Sequence, residues 1–231
     1  MVRPIAIIPA RGGSKRLPRK NILPLDGKPL LAHVICTALK SEVFEKIIVS
    51  SEDEEILSIA KDCGVEAYTR PVELSTDQAT VDQVCTDILE GYNCTGYDEF
   101  FCILYSTSAL LNEESIKKSF GKFTKDINYV MGVSRYNYPP VQALKSVGEG
   151  CLEYQWPEYK RVRSQSYPEL VVSNGSFYWA RCSAFLQDGT IYGPKLVGYE
   201  VPNEQVCDVD VHEDYEDLKR KYFEIKSRQF T

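Results

Sequence analysis

Residues 5–21 read IAIIPARGGSKRLPRKN, and this stretch governs how the rest of the chain is interpreted. Ile5–Pro9 is a short apolar run followed by a glycine-containing turn, which predicts a buried β-strand. The loop after it, residues 9–21, carries five cations within ten residues: Arg11, Lys15, Arg16, Arg19 and Lys20. A buried strand that leads into a basic, glycine-containing loop is typical of the first strand of an α/β sheet.

Strands and helices alternate from this stretch through residue 134. Apolar runs predict strands at 5–9, 46–50, 66–69, 99–105 and 129–134, and helical spacing predicts helices over 28–39, 51–60, 81–89 and 112–123. We therefore predict an α/β fold: a mostly parallel, twisted sheet with helices on both faces. Two further strands, at 175–181 and 196–201, and a charged helix over 213–223 complete a single domain spanning 1–231.

Residues 136–170 interrupt this pattern. They are rich in Tyr, Pro, Arg and Gln and have little periodicity, so we interpret them as a small irregular excursion over the ligand site or a dimer face.

Composition excludes several classes of protein. The 231 residues contain 27 Lys plus Arg and 33 Asp plus Glu, a net charge of -6, which argues against nucleic acid as a partner. The apolar run at 5–9 is too short for a signal peptide or a membrane span, so we expect a cytoplasmic protein with no membrane partner. The eight cysteines form no C-x-x-C pair, and we expect free, mostly buried thiols.

The loop 9–21 has the composition of a phosphate site. It lies at the carboxyl end of the first strand, where open α/β sheets bind ligands. Gly12 and Gly13 permit backbone conformations that other residues avoid, and successive amides can form an anion nest. In an acidic protein, such a cluster of cations indicates a polyphosphate ligand, although a solvated basic loop is the alternative. The spacings of the Walker loop and of the dinucleotide fingerprint are both absent.

Residues 10–21, followed by LDGKPL at 25–30, resemble the acylneuraminate cytidylyltransferase family. The resemblance implies a fold of the nucleotide-diphospho-sugar transferase type. It also implies an enzyme that joins CTP to a nine-carbon 2-keto acid sugar and releases pyrophosphate. It implies a catalytic set of Arg11, Lys20 and Asp210. It also implies nucleotide contacts from Ala10, Arg11, Gly12, Gly13, Ser14, Lys15, Lys20, Asn21, Arg70 and Thr80.

Two later segments extend the resemblance. Residues 70–77, RPVELSTD, resemble a block that packs beside the nucleotide in the family; Arg70 is expected at phosphate or base, and Thr80 at the next helix N-terminus or the nucleotide. For Glu73 and Asp77, the alternative to a role beside the nucleotide is a structural one, in helix capping and loop support. In CDVDV at 207–211, Asp208 and Asp210 face one side of an extended segment, which suits Mg²⁺, with Mn²⁺ as a second choice. Considered without the resemblance, Asp210 or Glu213 could instead lie at the N-terminus of the last helix and begin it.

The middle of the chain is expected to contact the sugar. LYSTSAL at 104–110 departs from the LQPTSPLR typical of sialic-acid enzymes, whereas residues 139–145, 163–165 and 174–179 look more like the pseudaminic-acid branch. The implied sugar contacts are Tyr105, Thr107, Lys145, Arg163, Gln165, Asn174 and Tyr178. Lys145 and Arg163 are candidates for the carboxylate, with surface ion pairing as the alternative. For Phe177 or Trp179 we expect core packing.

Together, these patterns predict a CTP-dependent enzyme that makes a CMP-sugar for surface glycan or flagellin glycosylation, with pseudaminic acid as the acceptor. Sialic acid, legionaminic acid and KDO are alternative acceptors, and a non-catalytic nucleotide-sugar binding protein is the alternative of a different class. The family resemblance also implies a homodimer, with 136–170 as the exchange surface.

Overall fold

The computed structural model describes residues 3–228 and places a seven-stranded sheet at the centre. The strands are β1 (Ile5–Pro9), β2 (Pro24–Leu25), β3 (Lys28–Pro29), β4 (Lys46–Ser51), β5 (Glu66–Thr69), β6 (Phe100–Leu104), β7 (Tyr129–Arg135), β8 (Leu144–Ser146), β9 (Leu152–Tyr154), β10 (Val171–Arg181) and β11 (Leu196–Glu200). The helices are α1 (Leu30–Ser41), α2 (Glu54–Asp62), α3 (Val81–Gly91), α4 (Glu113–Phe120), α5 (Cys182–Asp188) and α6 (His212–Arg228). Each predicted strand and helix is present, with small differences at the ends.

The central sheet has the order β11-β7-β10-β6-β1-β4-β5. Strand β10 runs antiparallel to both neighbours, and the other pairings are parallel, which confirms the predicted mostly parallel sheet. From β1 the chain proceeds outward to β4 and β5, then returns to the other side of β1 as β6. The strand order therefore reverses between β1 and β6, and α/β sheets bind ligands at the carboxyl ends of the strands beside such a point.

Alternate residues of each strand pack on opposite faces of the sheet. On one face, Ile8 of β1 packs with α1, α2 and α4; on the other, Ile7 packs with α3 and α5. A third, smaller cluster joins the basic loop to the C-terminal segment, because Leu17 of the loop, Val209 and Leu218 of α6 are buried together. This contact fixes the Asp208–Asp210 region beneath the loop.

Side chains cap the starts of three helices. Thr80 caps α3 with a complete capping box to Gln83, which confirms its expected place at a helix N-terminus. Asn112 caps α4 by accepting from Ser115 N. Asp53 is the N-cap of α2, and its carboxylate accepts from the amides of Glu55 and Ile56, while Ser51 only accepts from Asp53 N.

The 136–170 segment is an exposed arm that leaves the sheet after β7 and returns at β10. It contains the short β8–β9 hairpin and three 3₁₀ turns, and within it only Val141 is buried. The next strand is longer than predicted because β10 continues through a bulge between Ser173 and Tyr178. Among the described helices, none is both long and apolar enough to traverse a lipid bilayer.

Candidate active site

Three segments that are far apart in the sequence meet at the carboxyl edge of the sheet. The basic loop follows β1, Arg70 follows β5, and Asp210 precedes α6; Tyr105, after β6, closes the side. They surround a cavity of about 500 Å³. Its lining includes nine of the predicted site residues: Arg11, Ser14, Lys15, Lys20, Asn21, Arg70, Thr80, Tyr105 and Asp210.

Ion pairs connect the basic loop to carboxylates of both distant segments. Arg11 Nη1 lies 2.7 Å from Asp77 Oδ1, and Lys15 pairs with the other oxygen of the same carboxylate. Arg16 Nη2 and Lys20 Nζ lie 2.8 and 3.1 Å from the two oxygens of Asp210. Four cations of the loop are therefore directed toward the cavity, where an incoming anion would meet them.

The loop backbone differs from the predicted anion nest. Neither Gly12 nor Gly13 has positive φ; the left-handed residue is Arg19, at φ 58°, whose guanidinium is held by Asp53. The Gly12 amide donates to Glu52 Oε1 at 2.8 Å. A Cβ on Gly12 would lie 2.5 Å from Asp53 Oδ2, so glycine is required here by close approach of the α2 N-terminus.

Other loop amides also have partners within the protein. The amide of Ala10, a fully buried residue, donates to Ser50 O at 3.0 Å, and Ser14 N donates to Gly12 O at 3.1 Å. The amides of Ala10, Gly12 and Ser14 are therefore already bonded within the protein, and the four cationic side chains are the groups of this loop that carry charge to the cavity.

Asn21 connects the loop to the neighbouring strand. Its side chain is buried, donates from Nδ2 to Arg11 O at 2.7 Å and accepts from Ser106 Oγ at 2.5 Å. Asn21 thereby fixes the position of Arg11 relative to the end of β6, in addition to lining the cavity.

Arg70 is a buried cation at the cavity wall. Its guanidinium donates to Ser50 Oγ at 3.2 Å and to Ser50 O at 2.8 Å. Desolvation lowers the pKa of Arg70, while the carboxylate of Glu52 opposes that shift. Because an arginine remains protonated in proteins, a buried positive charge faces the cavity.

Asp208 and Asp210 flank Val209, which is fully buried. Asp210 lines the cavity and Asp208 does not, so their joint role at one site stays a prediction. Desolvation by surrounding protein, then the neighbouring Asp210, raises the pKa of Asp208. Desolvation alone would raise the pKa of Asp210, but Lys20 and Arg16 outweigh it and lower that pKa. Asp214, rather than Asp210 or Glu213, accepts from the amides that precede α6.

This pair fits a hard divalent cation that also binds phosphate. Within residues 3–228, no group of three or more His, Cys, Asp or Glu side chains is arranged to hold a metal. Two carboxylates leave coordination positions for phosphate oxygens and water, which is the arrangement Mg²⁺ prefers. The pair alone would not provide an all-protein cage.

The predicted sugar contacts fall into two groups. Tyr105 and Tyr178 pack edge to face with their ring centroids 5.9 Å apart, and burial raises the pKa of Tyr178 to about 12. Thr107, two residues after Tyr105 in the sequence, is buried. Asn174 lies in the β10 bulge, where Nδ2 donates to Ser134 Oγ at 3.1 Å, and a Cβ on Gly175 would come within 3.9 Å of Asp208 Oδ1. Tyr105 thus shares the cavity with Asp210, and Tyr178 and the bulge at Gly175 lie near Asp208.

Lys145, Arg163 and Gln165 form the second group and are all exposed on the 136–170 arm. None of them lines the cavity that contains Arg11 and Asp210. Within one chain, the structure therefore does not bring these three residues to the nucleotide side of the site. Phe177 and Trp179 are buried in the core, as expected.

The cysteine expectation is confirmed in part. The eight thiols are free, but Cys36 and Cys151 are exposed and only four are buried.

Sequence reasoning missed several residues that shape the site. Ser50 and Glu52, at the end of β4, hold Arg70 and the Gly12 amide. Ser106 holds Asn21. Asp77, which was expected in the block beside the nucleotide with capping and loop support as the alternative, joins two cations of the loop. Their positions in the sequence could have indicated these four residues, because each lies at or just after the carboxyl end of a strand or in the Arg70 block.

Comparison with known proteins agrees with this geometry. The profile of the cytidylyltransferase family matches residues 5–186. The chain is 36% identical over 224 residues to the pseudaminic acid cytidylyltransferase of Campylobacter jejuni, covering 94% of this chain and 95% of that protein. It is 32% identical over 217 residues to the N-acylneuraminate cytidylyltransferase of Streptococcus agalactiae, covering 93% of this chain and 52% of that protein.

Solved structures support the fold at low sequence identity. The structure of CMP:2-keto-3-deoxy-manno-octonic acid synthetase complexed with CTP superposes with a TM-score of 0.70 at 16% identity, covering 96% of this chain and 99% of that one. The structure of 4-diphosphocytidyl-2C-methyl-D-erythritol synthase gives a TM-score of 0.69 at 12% identity with the same coverage. Both show that the nucleotide-diphospho-sugar transferase type of fold, predicted from the sequence, is correct.

Proposed function

The chain belongs to the cytidylyltransferase family, and from this premise we propose that it couples CTP to the anomeric hydroxyl of a nine-carbon 2-keto acid sugar, releasing the CMP-sugar and pyrophosphate. Pseudaminic acid is the proposed acceptor, because the relative that matches nearly end to end at 36% identity is a pseudaminic acid cytidylyltransferase. A role in surface glycan or flagellin glycosylation follows from that choice of sugar.

The convergence of cations and carboxylates in one cavity carries the proposal. Five cations, Arg11, Lys15, Arg16, Lys20 and Arg70, line it together with the carboxylates of Asp77 and Asp210. A solvated basic loop would not need the buried Arg70 beside it, nor carboxylates from two distant segments paired with its cations. The excess of positive charge suits a polyphosphate, and the carboxylates give the site a place for a cation beside it.

In the proposed reaction, the anomeric hydroxyl attacks the α-phosphorus of CTP, the new P–O bond forms and the bond to pyrophosphate breaks. Arg11, Lys15 and Lys20 are placed to bind the phosphates and to stabilise negative charge on the leaving pyrophosphate. Asn21 keeps the Arg11 backbone in position. Catalysis then depends chiefly on orientation and charge stabilisation.

We propose Asp208 and Asp210 as the residues that hold Mg²⁺, with Mn²⁺ as the alternative. When bound there, the cation would supply Lewis-acid stabilisation of phosphate oxygens and lower the pKa of the attacking hydroxyl. Lys20 and Arg16, which now pair with Asp210, would balance its charge until the cation and nucleotide arrive together.

N-Acylneuraminic acid is a second candidate acceptor, because enzymes for it are 31–34% identical to this chain over nine-tenths of its length. Tyr105 and Tyr178 are proposed to discriminate between acceptors, since they place aromatic rings where the sugar would approach Asp208. Legionaminic acid and KDO remain alternatives for the same test.

A homodimer is also proposed, with the 136–170 arm as its interface. Seven large apolar side chains of the arm are exposed: Tyr136, Tyr138, Leu144, Val147, Leu152, Trp156 and Leu170. Exposed apolar surface of this extent favours coverage by another protein surface. A second copy would also supply a way for Lys145 and Arg163 to reach a sugar site. The cytoplasmic location stays a prediction.

The decisive experiment measures pyrophosphate release from CTP with pseudaminic, legionaminic, N-acetylneuraminic and 3-deoxy-manno-octulosonic acids, with Mg²⁺ and then with EDTA. We expect the highest kcat/KM with pseudaminic acid and loss of turnover in EDTA. Release with none of the sugars, despite measurable CTP binding, would favour the non-catalytic nucleotide-sugar binding protein.

A further inference from the structure

Asp77 occupies a position in the cavity that an oxygen-rich anion would take. Its Oδ1 accepts from Arg11 Nη1 at 2.7 Å, and its Oδ2 pairs with Lys15 Nζ. A carboxylate that bridges a guanidinium and an ammonium makes the contacts that a phosphate group makes with the same two donors. Asp77 and a bound phosphate would therefore compete for Arg11 and Lys15.

The segment that carries Asp77 can withdraw at little cost. Residues 76–79 lie between a 3₁₀ turn, Val72–Ser75, and the capped start of α3, and they have no regular structure. The side chain of Asp77 is 47% exposed, and in the described part of the chain it pairs with Arg11 and Lys15 alone. Those two pairs hold the pKa of Asp77 below its ordinary value, because Lys15 first and then Arg11 stabilise the carboxylate.

Resting on the proposed function, we propose that Asp77 is an internal competitor for the polyphosphate site: it holds Arg11 and Lys15 in the empty enzyme, leaves when the triphosphate of CTP enters, and returns to help expel pyrophosphate. Asp77 is a positioning residue that sets the affinity for polyphosphates. It does not contact the sugar or the reacting phosphorus in this role.

The opposite role makes a different prediction. If Asp77 stayed bonded to Arg11 and Lys15 and oriented them for phosphate, removing its charge would weaken nucleotide binding. The direction of the change in affinity therefore separates competition from orientation.

The test compares pyrophosphate and CMP binding to wild type, Asp77→Asn and Asp77→Glu by isothermal titration calorimetry, with and without Mg²⁺. Exposed ion pairs are weak, so loss of the two competing pairs is expected to tighten pyrophosphate binding by about twofold to thirtyfold. CMP, which lacks the β- and γ-phosphates, should bind each variant alike, and Asp77→Glu should retain the wild-type affinity for pyrophosphate.

Glu73→Gln is the matched control, because it removes one negative charge from the same exposed segment without a contact to Arg11 or Lys15. Tighter pyrophosphate binding in Asp77→Asn alone supports the proposal, together with a lower inhibition constant for pyrophosphate. Unchanged or weaker binding in Asp77→Asn, or an equal gain in Glu73→Gln, overturns it. Failure of wild type to turn over CTP, with pyrophosphate still bound, would overturn the proposed function and leave the affinity comparison intact.

Discussion

Replacing Asp210 with asparagine separates catalysis from folding at this site. The substitution keeps the size of the side chain but removes the charge that faces Arg16 and Lys20. The side chain of Asp210 is 34% exposed and that of Arg16 is 67% exposed, so the two pairs are worth about 0.2–1 kcal/mol each after solvent screening. Relief of repulsion with Asp208 offsets part of that loss.

The expected effect on the reaction is much larger. Removing one group that stabilises transition-state charge typically costs about 10²–10³-fold in kcat, or roughly 2.7–4 kcal/mol. We therefore expect kcat for CMP-sugar formation to fall at least about 100-fold in Asp210→Asn, while the melting temperature falls by only a few degrees. Pyrophosphate release and differential scanning calorimetry measure the two effects.

Asp217→Asn is the matched control. Asp217 also makes two ion pairs, with Arg220 and Lys221, but these lie along α6 outside the cavity. We expect this control to lose a similar small amount of stability and to retain its activity. Wild-type kcat in Asp210→Asn would refute the proposed role of Asp210, and so would a collapse of its melting temperature that accounts for the lost activity.

Three further outcomes test the loop, its anchor and the arm. Gly12→Ala should destabilise the fold by about 1–3 kcal/mol and raise the KM for CTP, because the new Cβ would lie 2.5 Å from Asp53 Oδ2. Gly13→Ala should be tolerated, because no atom lies within 4 Å of its new Cβ. Chemical denaturation and steady-state kinetics measure both effects. The hydrogen bond from Arg19 lowers the pKa of Asp53 below its ordinary 3.8, so the carboxylate stabilises the fold above that value and this stabilisation is lost as pH falls through the lowered pKa. In urea titrations, the free energy of unfolding should therefore fall less steeply toward acid pH in Asp53→Asn than in wild type. Parallel decreases in the two proteins would contradict this. By light scattering, wild type should have twice the 26.2 kDa mass of the chain, and Leu152→Lys should shift toward the monomer. Leu39→Lys, at a leucine that is also exposed but lies outside the arm, should not.

The fold followed from the sequence because its signals are local. Apolar runs such as Ile5–Pro9 fit a strand buried on both faces, and amphipathic segments such as Val81–Gly91 fit helices that cover it. The cap at Thr80 was predicted for the same reason, since donor and acceptor lie three residues apart. The exact start of α2 is less well determined by the sequence, because Ser51 and Asp53 are both good N-caps at nearly the same place and the structure uses Asp53.

The residues of the loop were also evident from the sequence, but their partners were not. Clustered cations indicate an anion site wherever the chain places them, and alternation around Val209 put two carboxylates on one side. By itself, then, the sequence determined the strand–helix order, the basic loop and the carboxylate pair.

Only the tertiary structure decided which distant groups meet. Parallel strands bring their carboxyl ends to one edge, and this edge joins Arg11 to Asp77 and Lys20 to Asp210 across 66 and 190 residues of sequence. It also assigned Gly12 to close approach by Asp53 and left Lys145 and Arg163 on an exposed arm. Contacts across such separations depend on strand order and helix packing, which no local pattern encodes.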